Sequence, residues 1–191
     1  ITSLKAVRFA HWTSATQQPP LLKVICKQMG EIMKTLLGIL ISLYFGAAMA
    51  GEQKILDLTA NDHARLKEQR AVIEKYLSPE DLKIKYPTTA GKLGTLRTLI
   101  EAKVFKKSQT YELQSMGIVF GDAFITEMGF HWVIVEDDYG RDPAIKYKDT
   151  SIILFPLTMI SKRIEKDEAV DVFDMFNGIA AQVKEIANIS K

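Results

Sequence analysis

The chain has one cysteine, Cys26, and three histidines, His11, His63 and His131, among 191 residues. A single thiol excludes an intramolecular disulfide framework and zinc sites built from several cysteines. The formal net charge is +2, from 25 basic and 23 acidic residues, which supplies no electrostatic basis for binding nucleic acid. Eleven glycines and six prolines are too few for a collagen-like or low-complexity chain. There is no internal repeat, heptad pattern or long linker. What remains is 47% hydrophobic residues, enough for the core of one domain with an extension.

The longest apolar run sits early. Met33 to Ala50 reads as a signal peptide: Lys34 behind a methionine, an apolar stretch from Leu36 to Phe45, then Ala48-Met49-Ala50 as a small-x-small cleavage pattern before Gly51. The run is short of the roughly 20 residues a membrane span needs, and no cysteine follows the cleavage point to carry a lipid anchor. Periplasmic or secreted localisation is therefore expected, with membrane contact through the signal peptide alone. Residues 1–32 begin with Ile1 and are broken by Gln17-Gln18-Pro19-Pro20. They read as upstream translation or a leader, outside the structural part. Residues 1–50 hold five basic residues and one acidic, so 51–191 carry 20 and 22, a net charge of −2 without cysteine.

Beyond Gly51 the spacing predicts an N-terminal helical extension over 51–87 and an α+β domain over 88–191. Thr59 to Leu77 is expected to be helical, opened by Thr59 and Asp62 at capping-box spacing, with Leu66, Ile73 and Leu77 as its apolar stripe. Ser78-Pro79 starts another helix, but Leu82 to Tyr86 alternates like a strand, so that stretch reads both ways. Helical spacing returns at Thr95–Phe105 and at Gln109–Met128, where Leu113, Met116, Phe120, Phe124 and Met128 share a face. Gly117 and Gly121 on that face predict close approach of a neighbouring element. The period then changes. Trp132–Val135, Ala144–Tyr147 and Ser151–Phe155 read as a three-stranded antiparallel meander, and helices from Pro156 and after Asp171 are expected to pack on that sheet.

Chemical motifs are scarce. There is no Gly-x-Ser-x-Gly elbow and no His-Glu-x-x-His, and Gly91-Lys92 is followed by Leu93 rather than Ser or Thr. His63 and His131 have no partner histidine at metal-ligand spacing, so no metal or other cofactor is implied. The most unusual stretch is the turn Glu136-Asp137-Asp138-Tyr139-Gly140-Arg141-Asp142, four carboxylates around one guanidinium. Its spacing departs from a calcium loop and Arg141 adds positive charge, which favours a solvated turn over a cation site. With Trp132 and Tyr139 as aromatics carrying a polar handle, Trp132, Glu136, Asp137, Asp138, Tyr139, Arg141 and Asp142 form the candidate binding surface. No residue stands out as catalytic.

The motifs Gly91–Gly94, Gln109–Leu113, Phe120-Gly121-Asp122-Ala123, Trp132-Val133, Glu136–Ala144, Phe155–Arg163 and Val170–Val172 together resemble the bacterial domain of unknown function 3806 family, over residues 88–187. The resemblance implies a bacterial protein and a compact α+β domain, and it carries no catalytic residues to transfer. The function expected is a non-catalytic binding or interaction module for an unknown protein or small molecule, without nucleic acid. The alternative is a carboxylate-based hydrolase or metal-binding enzyme centred on the acidic hairpin. A cleft gathering Asp122, His131 and the hairpin acids would favour the enzyme; a convex tip with an exposed aromatic would favour the module.

Overall fold

A computed structural model describes residues 53–189; residues 1–32 and the expected signal peptide at 33–50 lie outside the described residues. The order is β1 (Lys54–Leu56), α1 (Ala60–Glu74), α2 (Pro79–Ile84), α3 (Thr89–Glu101), α4 (Thr110–Met128), β2 (Phe130–Asp137), β3 (Gly140–Tyr147), β4 (Ile153–Leu154), α5 (Leu157–Glu165) and α6 (Val172–Ile189). The class is α+β, with a four-stranded antiparallel sheet in the order β1-β2-β3-β4.

Caps decide where the helices begin. The Thr59 hydroxyl accepts the Asp62 N–H at 3.3 Å and the Asp62 carboxylate accepts the Thr59 N–H at 2.8 Å, closing the expected box on α1. Ser78 accepts the Asp81 N–H at 3.0 Å. With Pro79 tolerated in the first turn, this cap resolves the ambiguous stretch as helix α2, although its alternation leaves Ile84 61% exposed. Helix α3 starts six residues earlier than the apolar spacing shows, because Thr88 accepts the Gly91 N–H at 3.0 Å. A Cβ at Gly91 would lie 1.9 Å from the Lys85 carbonyl oxygen, so only glycine fits that turn. Gly129, at φ 76°, ends α4 in the left-handed conformation.

The expected three-stranded meander is corrected to four strands. Lys54-Ile55-Leu56 is too short to show alternation, and it becomes a strand by pairing with β2 in the register Ile55↔Val135. The turn between β2 and β3 is also shorter than expected, because β3 runs through Pro143. Strand β4 pairs with Ile145 and Lys146, beyond the proline, so its missing N–H is tolerated on an edge.

Helix α4 is the centre of the molecule. The expected stripe is buried, and so are Ser115, Ile118, Val119 and Ala123, because α1, α3 and α5 pack around it. Side chains alternate along β2, so Phe130 and Trp132 meet the α4 cluster while Val133, Val135 and Ala144 form a second buried cluster. Phe124 stacks tilted against Phe176 of α6 at 4.4 Å between centroids and edge-on to Phe130 at 5.8 Å, joining helices to sheet. Helix α5 lies along α4, and α6 packs against α3 and α4.

The two glycines of α4 do what their spacing suggests. A Cβ at Gly117 would meet the Pro156 carbonyl oxygen at 2.5 Å and the Leu157 Cα at 2.6 Å; at Gly121 it would meet the Pro156 ring at 2.8 Å and the Trp132 ring at 2.9 Å. Gly178 in α6 is exposed, and a Cβ there would meet nothing within 4 Å. Gly117→Ala is therefore expected to destabilise the fold by about 1–3 kcal/mol through overpacking. Gly178→Ala should instead stabilise it by about 0.4–1 kcal/mol. Urea unfolding of both variants checks this, and shifts of the same sign would contradict it.

Candidate functional site

The β2–β3 hairpin turns over two residues, Asp138 and Tyr139, between the paired Asp137 and Gly140. The Asp137 carboxylate accepts the Tyr139 N–H at 2.8 Å, and Gly140, at φ 143°, takes a conformation that favours glycine. Tyr139 is left 89% exposed at the apex. Glu136 and Arg141 oppose each other on one face of the ribbon, while Asp137 and Asp142 project from the other.

Arg141 does not pair with the acids beside it. Its two terminal nitrogens donate to the two carboxylate oxygens of Asp62 in α1, each at 2.7 Å. Asp62 is only 5% exposed and also accepts the Thr59 N–H and hydroxyl, the latter at 2.6 Å. The hydrogen bonds from Arg141, then those from Thr59, hold this carboxyl well below the usual range, against burial that pushes it up. The guanidinium is pushed up in turn, first by its hydrogen bonds to Asp62.

Trp132 stands five residues along β2 from Asp137, about 17 Å away. The structure therefore separates it from the hairpin tip. Its indole Nε1 donates to Asp122 Oδ1 at 2.9 Å. The same carboxylate accepts Arg70 Nε at 2.6 Å and Nη2 at 2.8 Å, a bidentate pair linking α1 to α4. Arg70 is pushed up, chiefly by its hydrogen bond to Asp122. His131, next to Trp132, is exposed and projects from the opposite face of the strand. Asp122, His131 and the hairpin acids are thus not gathered. Among the described residues no three His, Cys, Asp or Glu side chains come together to hold a metal ion.

Two buried polar groups carry no signal in the sequence. Lys92 is buried and donates to the Tyr86 and Pro87 carbonyl oxygens at 3.1 and 3.0 Å, and burial pushes its pKa down. The Tyr86 hydroxyl is buried without a hydrogen-bond partner, and burial, then the charge of Glu74, pushes it up. Asp62 is legible in the sequence as the capping-box partner of Thr59, whereas Arg70, one turn beyond Leu66 on the same helical face, carries no motif.

Asp62 makes the protein acid-sensitive in a defined direction. A carboxylate with a depressed folded-state pKa contributes stability that is complete above its unfolded value, about 4, and lost as the pH falls through the folded value. Melting curves across acid pH should show wild type losing stability below about pH 4 more steeply than Asp62→Asn, so that their difference shrinks. A constant difference over that range would contradict the assignment.

A family model described as Domain of unknown function (DUF3806) matches residues 92–176, from Lys92 in α3 to Phe176 in α6. No curated protein matches the chain significantly. A crystal structure from Bacteroides thetaiotaomicron VPI-5482 is similar in fold, with a TM-score of 0.53 at 12% identity, over 67% of this chain and 47% of that one. The chain thus spans about half the length of that structure, and the likeness concerns the fold alone. Helices α3 to α5, the three strands β2 to β4 and the start of α6 make up the matched segment, and over that segment the chain is similar to the DUF3806 family.

Proposed function

We propose that the protein is exported, with Met33–Ala50 as its signal peptide, and acts as a non-catalytic binding module through the tip of the β2–β3 hairpin. The observation that carries this reading is Tyr139, 89% exposed on a convex two-residue turn. An aromatic held out in water is available to a partner surface that can bury it. Around it stand Glu136, Asp137, Asp138 and Asp142, while the local cation, Arg141, is engaged by Asp62. The tip therefore presents negative charge beside a phenol, which suits a partner with basic groups flanking an apolar contact. The hydrolase alternative lacks support of this kind, since Asp122 is taken up by Arg70 and Trp132 and His131 lies on the other face.

The test uses protein expressed from its native gene. Its amino terminus should be Gly51 in the periplasm or medium. Capture from that compartment should retain a discrete partner that Asp138→Asn/Tyr139→Ala loses by about tenfold or more, the scale of one hot-spot residue. Equal retention by both proteins, or hydrolase turnover abolished by the same substitutions, would overturn the binding reading. A product retaining residues 33–50 would overturn export by cleavage.

A further inference from the structure

Between the C-terminal end of α1, α2 and α3 lies a cleft of about 310 Å³, at the small end of the roughly 300–1,000 Å³ typical of ligand sites. Its body is apolar, built from the rings of Tyr76 and Tyr86 with Leu77 and Leu99. Tyr76 is 46% exposed, yet Phe105 holds it edge-on at 5.6 Å between centroids, so it forms a fixed platform.

Gly94 also lines this cleft, in the middle of α3. A Cβ there would meet nothing within 4 Å, so no neighbour demands a glycine at a position where glycine weakens the helix. The missing side chain keeps the cleft open. Local choices that cost stability without a packing return are expected at sites of function.

The polar groups of the wall narrow the ligand class. Thr95 and Thr98 donate their hydroxyl protons to the Gly91 and Gly94 carbonyls at 2.8 and 3.0 Å, which leaves both oxygens as acceptors. Asp81 and Lys85 neutralise each other at 2.6 Å. The ammonium groups of Lys75 and Lys92 stand 5.3 and 5.5 Å from the centres of the Tyr76 and Tyr86 rings and disfavour a cationic ligand by like charge. What fits is a neutral ring with a C–H face for the exposed ring of Tyr76 and hydroxyl donors for the threonines. We infer that this cleft binds one residue of a neutral saccharide, at a site separate from the hairpin.

The test is saturation-transfer NMR on the full chain with methyl β-glucopyranoside and methyl N-acetyl-β-glucosaminide as probes, and phenol as a neutral aromatic without a hydroxylated ring. Transfer to the ring protons of a glycoside is expected in wild type. Gly94→Leu, which fills the cleft, and Thr98→Val, which removes an acceptor at an exposed position, should each lower it about tenfold while melting cooperatively. Should Gly94→Leu fail to fold, Thr98→Val decides alone. No transfer to either glycoside, transfer to phenol only, or undiminished transfer in the folded variants would overturn the inference.

Discussion

Helix α1 carries charges of opposite sign one turn to either side of a buried leucine, and the structure depends on both finding partners. Asp62, Leu66 and Arg70 lie on one face; Asp62 is taken by Arg141 of β3 and Arg70 by Asp122 of α4. Each pair is bidentate, and each has one member well shielded from water. Removing such a carboxylate from water is costly unless its charge and lone pairs are met, so the two contacts constrain position more than they add stability. A rotation of α1 by one residue would leave both pairs unmade. So would a one-residue slip of β3, which would turn Arg141 to the other face of the sheet.

The close approaches along α4 serve the same geometry. Gly121 lets the Trp132 ring and Pro156 come within reach of the helix backbone, and Asp122 is the next residue. The indole reaches the Asp122 carboxylate because nothing at position 121 holds it away. Gly117 admits the start of α5 one turn earlier. Sequence, packing and hydrogen bonding therefore converge on one turn of helix, where α1, α4, β2 and α5 meet. The hairpin tip projects from this frame with its root fixed by Asp62.

Local signals were legible in the sequence, and long-range ones were not. Thr59 with Asp62, Ser78 with Pro79 and the buried stripe of α4 all act within a few residues, and each is found as read. The glycine pair was legible because its spacing has few other uses. Strand β1 was not, since three residues carry no period and its pairing lies some eighty residues away. Arg141 reads locally as part of an acidic turn, while its partner is 79 residues upstream. Trp132 reads as a neighbour of the turn by sequence, yet the extended strand carries it well away. The exposed Tyr139 is where the sequence places it, at the apex of a turn shorter than expected. The cleft beside α2 left no motif, because its walls come from three helices.

Arg70 and Asp122 act as a coupled pair that fixes α1 to α4. A double-mutant cycle with Arg70→Met and Asp122→Asn, read by urea unfolding, measures that coupling directly. A coupling energy above about 0.5 kcal/mol, with the double variant less damaged than the two single losses together, is the expected result. Single effects that simply add, within about 0.3 kcal/mol, would contradict it.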